Sequence, residues 1–279
     1  MTLPPISTTH LFGPERSALL ELLTSLDTDD WYRPTVCNGW NVHDVALHLL
    51  GGDVGLLSGG RDRFPGSPAA PHPPNLDDWA TLVGWIDARN AAWVDATRRM
   101  SPTLLRELLA LTGQRVTDWL PTVDMSGVGI PVSWAGPEPA PTWLHIAREY
   151  TERWTHQQHI RDAVDHPGFT EPGWLHPVLD TFARALPHTL RDHQRPAGTT
   201  VELRITGPAG SSWRVQRAPG AWSFTDTDVP AGTIVTLDEE TAWRGFTRGI
   251  DIGRIRSSAQ VEGDPEIGDT ILHMVTIIA

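Results

Sequence analysis

The stretch REYTERWTHQQHIRD, residues 148–162, decides how the fold is interpreted. Glu152, His156 and His159 follow one another at spacings of four and three residues, which places them on one face of a helix. His145 and Glu149 extend the same stripe towards the amino terminus. A core-facing helix normally carries Leu and Val along such a stripe. These residue types therefore indicate a metal site in a helical bundle, where facing side chains supply the ligands.

The composition is that of a soluble, globular chain with room for one large domain or two ordinary ones. The chain has 279 residues, of which 39% are hydrophobic and 20% charged. Its net charge of −12 argues against a nucleic-acid partner, because phosphate binding needs a surplus of basic residues. The single cysteine, Cys37, excludes an internal disulfide and a zinc site built from several cysteines.

Targeting signals are also not evident. No apolar run approaches the roughly 20 residues needed to cross a membrane. The first residues do not show a basic segment followed by an apolar one, as a signal peptide would. We therefore expect a cytoplasmic protein without a membrane partner, either a monomer or a homodimer.

Helical periodicity predicts a bundle over residues 1–168. The predicted helices are residues 14–26, a segment that Asn41 caps, and residues 76–100, 102–119 and 142–164. Asp44 stands three residues after Asn41, which predicts a capping box. Residues 121–141 are rich in Gly and Pro and are expected to form a loop. Four or five antiparallel helices would complete this first domain.

The pattern changes after about residue 168, and residues 169–279 predict a small α+β domain. One helix is expected over residues 172–192. Short alternating runs then predict an antiparallel sheet: TTVELRITG (199–207), SSWRVQRA (211–218), AWSFTD (221–226) and AGTIVTL (231–237). A helical segment, a last strand near residues 257–264 and a closing helix that begins at Pro265 follow. The whole chain is thus of the α+β class.

Three side chains are the candidate metal ligands. Glu152 and His156 are four residues apart on one helix, and one carboxylate with two imidazoles is a known zinc-binding combination. His48 is the best third ligand because leucines flank it in an apolar helix, where an unpartnered histidine would be costly. His43 lies nearer the helix start and is expected to be solvated. The alternative is a surface ion pair between Glu152 and His156, and spacing alone does not decide between the two.

Two stretches resemble a known family. CNGWNVHDVALHLLG, residues 37–51, resembles the amino-terminal signature of the mycothiol-dependent maleylpyruvate isomerase family, within the DinB-like superfamily of metal-binding four-helix bundles. ERWTHQQHIRDAV, residues 152–164, resembles its second signature, a Glu and a His four residues apart in an aromatic-bearing helix. Residues 241–272 resemble the sterol-carrier-like domain of many members. The matched positions of the first signature are Cys37, Gly39, Trp40, Asp44, His48 and Leu49.

The resemblance implies Zn²⁺ bound by His48, Glu152 and His156, although another divalent metal is possible. It also implies mycothiol as cosubstrate. In the family's reaction the metal-activated thiol adds to a cis-enoyl acid, the central bond rotates, and elimination gives the trans product. In thiol transferases of the same superfamily the adduct is the product, so an isomerase and a mycothiol S-transferase both stay open. A non-catalytic, zinc-stabilised module that binds a small molecule is the third alternative.

His159 departs from the family pattern, which usually has Asp at this position. An Asp there could orient a ligand imidazole. His159 could replace it as a donor, act as a fourth ligand, serve as a general base, or simply fill the helix face. His145 and Glu149 are further candidates, either beside the ligands or solvated. Cys37 is not expected to act as the nucleophile, because the family's thiol comes from the cosubstrate.

An anionic substrate or thiol calls for arginine, since a guanidinium holds a carboxylate with two hydrogen bonds. Arg248 in the carboxy-terminal domain is the first choice, and Arg244 and Arg214 are the runners-up. The alternative for each is a solvated surface arginine.

Overall fold

The computed structural model describes residues 3–66, 79–226 and 228–276 and has an α+β fold. The chain divides into two compact units. The helical unit comprises Thr8–Met125 and Glu152–Gly168, and the sheet unit comprises Met1–Ser7, Ser126–Thr151 and Phe169–Ala279. Separate folding of residues 1–168 and 169–279 stays a prediction.

The helices predicted from periodicity in the first part of the chain are present, and all but the last of them lie wholly in the helical unit. Their bounds are α1 Phe12–Ser25, α2 Val42–Gly55, α3 Trp79–Thr97, α4 Pro102–Trp119 and α5 Thr142–Ala163. The helical unit takes α5 from Glu152 onwards. A π-helical segment, Leu56–Arg61, continues α2. The predicted start of α3 at residue 76 lies outside the described residues.

Helix α2 lies in the apolar core of its unit. Its capping box is confirmed, because Asp44 N donates to Asn41 Oδ1 over 2.9 Å and Asn41 N donates to Asp44 Oδ2 over 3.3 Å. Apolar residues occupy most of its circumference, which explains its central position between α3 and α4. The buried apolar residues of α2 are Val42, Val45, Ala46, Leu47, Leu49 and Leu50.

A charged network lies in the same interior. The Asp53 carboxylate on α2 accepts hydrogen bonds from Arg16 (2.6 Å), Thr112 (2.7 Å) and Arg153 (3.0 Å). Burial opposes ionisation of Asp53, but the two arginines outweigh it and hold its pKa below the usual range. The network therefore joins α1 and α5 to α2 through ion pairs and α4 to α2 through a hydrogen bond.

The sheet unit is built around a five-stranded sheet with the order β5-β4-β3-β6-β7. The strands are β3 Thr200–Thr206, β4 Ser211–Ala218, β5 Ala221–Phe224, β6 Thr233–Asp238 and β7 Gln260–Glu262. The prediction of a purely antiparallel sheet is wrong for β3 and β6, which pair in parallel. β4 and β5 lie on one side of β3, and the chain then crosses to its other side. Strand periodicity carries no information about this crossover.

A second, two-stranded sheet precedes α5. Strands β1 Val128–Pro131 and β2 Pro139–Pro141 pair antiparallel. The prediction of loop throughout residues 121–141 is wrong for these strands. Their few, proline-bounded residues show no alternating pattern that would have indicated strands.

Five helices precede, separate or follow the strands of the larger sheet along the described chain. They are α6 Pro172–Ala183, α7 Leu186–Thr189, α8 Glu239–Phe246, α9 Ile252–Ser258 and α10 Pro265–Leu272. The single helix predicted over residues 172–192 is wrong, because the chain breaks between α6 and α7. The break falls at Arg184 and Ala185, and Pro187 contributes to it because it lacks the N–H that would donate to the Ala183 carbonyl, although Pro177 is accommodated within α6.

Candidate metal centre

The three predicted ligands meet inside the helical unit. His48 on α2 places its Nε2 atom 3.7 Å from Glu152 Oε1 on α5, and His156 Nε2 lies 3.9 Å from the same oxygen. The two imidazole rings are 4.7 Å apart between centroids. Ligand atoms of one tetrahedral zinc site lie about 3.3 Å apart when each is about 2.0 Å from the metal. The geometry is thus close to that of a metal centre, and metal binding itself stays a prediction.

The state of His156 fits this role. The side chain is buried, and its Nε2 atom makes no hydrogen bond with any residue in the part of the chain that the structure describes. Burial, assisted by His48 and His159, lowers the pKa of His156 well below its usual range. The ring is therefore neutral, as a metal ligand must be.

Glu152 differs from the histidine in its exposure. Its side chain is 26% exposed, compared with 2% for His156. The donor set is therefore most exposed at the Glu152 side chain, the side from which a small molecule could approach.

The turn before α2 positions two neighbours of this set. Trp40 N donates a hydrogen bond to the Cys37 carbonyl oxygen over 3.0 Å, and Gly39 within the turn has a φ of +78°. A side chain rarely tolerates this φ, which explains glycine at this position. The turn brings the Trp40 ring to 5.2 Å from that of His48 and buries Cys37 in the core.

A second donor group adjoins the first. Cys37 Sγ lies 3.3 Å from His159 Nδ1 and 3.8 Å from His156 Nδ1, and all three residues are buried. Burial raises the pKa of the Cys37 thiol to about 11. His159 thus falls in a group with Cys37 and His156, whereas His48 and Glu152 form the other group with His156.

His43 is not solvated, contrary to expectation. It is buried, its Nε2 atom lies 3.0 Å from the Met100 carbonyl oxygen, and its ring contacts Trp31 edge-on with centroids 6.0 Å apart. A local view of a helix start cannot anticipate that the connection between α3 and α4 covers it.

The other two members of the stripe, His145 and Glu149, belong to the sheet unit. Glu149 forms an ion pair with its neighbour Arg148. A role for either beside the metal stays a prediction.

The three candidate arginines differ in what they bind. Arg214 pairs with the buried Glu202, and Arg244 donates to Glu240 over 2.5 Å. Arg248 is exposed, and no carboxylate among the described residues pairs with it. Arg248 is therefore the most available of the three for an anionic ligand.

The sheet unit also contains a cavity of about 560 Å³. Proline and apolar side chains form most of its wall, with His188 and Arg191 among the polar exceptions. None of the three candidate arginines lines this cavity.

Comparisons with known proteins bear on both units. Residues 12–161 match the family described as the mycothiol maleylpyruvate isomerase N-terminal domain. A crystal structure of the mycothiol-dependent maleylpyruvate isomerase is similar, with 15% identity, a TM-score of 0.55, and 94% of this chain and 95% of that chain covered. A variant of that isomerase with one histidine replaced by alanine gives 14% identity and a TM-score of 0.54 over the same shares. At such identities the likeness shows the fold alone.

One further comparison and one feature of the helices remain. No curated protein matches the chain. Within the described residues, no helix has both the length and the apolar character to cross a membrane.

Proposed function

The chain belongs to the mycothiol maleylpyruvate isomerase family, and on that premise we propose that it is a zinc enzyme that activates mycothiol, or a similar small thiol, for addition to an electrophilic enoyl acid. The observation that carries the proposal is the convergence of His48, Glu152 and His156. Three protein ligands leave a coordination position for a further molecule, as in catalytic zinc sites. Another divalent metal could serve, because affinity alone does not select zinc.

Zn²⁺ bound to these side chains would lower the pKa of a thiol in the open position, so that thiolate is present at neutral pH. The protein's residues set the conditions for this. His48 and His156 would bind the ion through imidazole nitrogens, and Glu152 would supply a negative charge that partly offsets that of the metal. Trp40 packs beside His48 and limits its orientations.

Arg248 is our candidate for the substrate carboxylate. Arg248 is an exposed residue and forms no ion pair with a described carboxylate, whereas Arg214 and Arg244 pair with Glu202 and Glu240. A charge-assisted pair of hydrogen bonds would orient an enoyl acid.

The two alternatives predict different products. A mycothiol S-transferase would release the thiol adduct, and a non-catalytic zinc-stabilised module would bind a small molecule without converting it. A structural zinc site is normally closed by four protein ligands. His159 groups with Cys37 instead of completing the set of His48 and Glu152, which favours an enzyme.

The test is turnover of a cis-enoyl acid such as maleylpyruvate by zinc-loaded protein, with and without added mycothiol. We expect the trans isomer to form only with thiol, and the thiol to be recovered unchanged. Accumulation of a thioether adduct would indicate the S-transferase. Robust turnover without thiol would contradict the proposal and point to zinc-activated water. The cytoplasmic location and the monomeric or homodimeric state stay predictions.

A further inference from the structure

The two nitrogens of His156 face different groups. Nε2 lies 3.9 Å from Glu152 Oε1, and Nδ1 lies 3.8 Å from Cys37 Sγ. Cys37 Sγ in turn lies 3.3 Å from His159 Nδ1. The two donor groups therefore share one imidazole ring.

We propose that Cys37 and His159 are positioning residues that hold the metal ligand His156 through its Nδ1 atom. In this arrangement His156 Nδ1–H donates to Cys37 Sγ, and the Cys37 S–H donates to His159 Nδ1. The inference rests on the proposed function, because it takes His156 Nε2 as the atom that faces the metal.

The chemistry of the imidazole requires such a partner. A neutral histidine that binds a metal through Nε2 carries its proton on Nδ1, and this N–H usually donates to a carboxylate, a carbonyl or water. His156 is buried, so an unpaired N–H would be costly. Cys37 Sγ is within hydrogen-bonding distance of this nitrogen for a sulfur atom.

A neutral thiol suits both contacts, since it has one proton to donate and lone pairs that accept. His159 then accepts at Nδ1 and carries its own proton on Nε2, so this arrangement places a second imidazole N–H in a buried environment. A second metal between Cys37, His156 and His159 would need His156 Nδ1 without its proton while Nε2 binds the first metal. Because both donor groups use the His156 ring, the arrangement favours a single metal, with Cys37 Sγ hydrogen-bonded to the ligand His156 and not to the metal.

The experiment measures zinc affinity by chelator competition in the wild type, Cys37→Ala and Cys37→Ser. We expect Cys37→Ala to weaken binding by roughly 10- to 100-fold. Cys37→Ser should recover most of the loss, because a hydroxyl can both accept and donate. If Cys37 only filled space, Cys37→Ser would weaken zinc binding more than Cys37→Ala, because serine places an additional polar group in this apolar setting. A lower zinc affinity in Cys37→Ser than in Cys37→Ala would therefore overturn the proposal.

Leu105→Ala is the matched control, since it opens a cavity in the same apolar cluster as Cys37 without removing a polar group. Its zinc affinity should stay near that of the wild type. An equal loss in Leu105→Ala and Cys37→Ala would assign the effect to packing and overturn the proposal.

Spectroscopy tests the proton positions and the alternative ligand role. Nitrogen NMR of the zinc-loaded protein should show the proton of His156 on Nδ1 and that of His159 on Nε2, and the opposite tautomers would overturn the proposal. In cobalt-substituted protein, a thiolate-to-cobalt charge-transfer band that disappears in Cys37→Ser would show that Cys37 is itself a metal ligand. That result would also overturn the proposal. If the wild-type protein binds no metal, the proposed function is overturned together with this inference. If the wild type binds zinc and Cys37→Ala binds it with the same affinity, this inference alone is overturned.

Discussion

Arg153 on α5 donates a hydrogen bond across 3.0 Å to the buried carboxylate of Asp53 on α2. Arg153 directly follows Glu152, and Asp53 stands five positions after His48. The ion pair therefore joins the two helices that carry the candidate ligands. We therefore expect the relative placement of those candidate ligands to depend on this charged contact.

Replacing Asp53 with alanine should destabilise the helical unit strongly. The change leaves Arg16 and Arg153 as buried charges without their carboxylate, a defect that costs about 3–5 kcal/mol. Urea unfolding measures the loss, and zinc affinity should fall with it. Asp62→Ala is the control, because Asp62 pairs with Arg61 at the surface and its removal should leave stability unchanged. Similar effects of the two changes would contradict the role given to the buried network.

Glu15 should make stability depend on pH. Burial raises its pKa to about 7 from an ordinary value of 4.5, although Arg16 and Arg153 act to lower it. Because the folded pKa is the higher one, the protonated form stabilises the fold. This contribution is fully present below pH 4.5 and is lost as pH rises through about 7.

The substitution Glu15→Gln should therefore flatten the pH dependence and stabilise the protein above pH 7, by at most about 3 kcal/mol. Urea unfolding at pH 5 and pH 8 measures both effects. An unchanged difference between the two pH values would exclude Glu15 as the source.

Gly39→Ala tests the turn before α2. A methyl group at Gly39 would meet no atom within 4 Å, so the expected cost is the strain of its φ of +78°, on the order of 1 kcal/mol. Metal affinity should also weaken, since the turn places Cys37 and Trp40. Gly52→Ala is the control in α2, where there is also no atom within 4 Å and alanine favours the helix. Loss of stability in Gly52→Ala but not in Gly39→Ala would refute this interpretation.

Arg248→Ala should impair use of an anionic substrate. Loss of a charge-assisted hydrogen bond costs about 1.5–3 kcal/mol, which corresponds to roughly 10- to 150-fold in kcat/KM. Steady-state kinetics should show the effect mainly in KM, with partial recovery in Arg248→Lys. Arg244→Ala is the comparison, because Arg244 is already paired with Glu240. A larger loss in Arg244→Ala would transfer the role to that residue.

The candidate ligands are accessible from the sequence for two different reasons: the spacing of Glu152 and His156 is local, whereas His48, 104 positions before Glu152, is indicated by its apolar helix and by the resemblance to the family. Glu152 and His156 lie one helical turn apart, and His48 stands in an apolar helix with a recognisable cap. The contact between Cys37 and His159 spans 122 positions and depends on how the bundle packs, which periodicity does not report.

The errors in the fold have the same origin. The parallel pairing of β3 and β6 follows from strand order, and the buried position of His43 follows from the connection that covers it. The break between α6 and α7 lies at Arg184 and Ala185, and helical periodicity does not report it because Pro177 is accommodated within a helix and Pro187 lies in the first turn of the next one.

Metal content tests the central claim most directly. Protein purified without added metal, and then reconstituted with zinc and freed of excess, should contain one divalent ion per chain by elemental analysis. His48→Ala and His156→Ala should each lose most of it, because two remaining ligands bind zinc poorly, and Glu152→Gln should weaken it by removing the anionic ligand at nearly constant volume. Full occupancy in both histidine variants would contradict the assignment of this site.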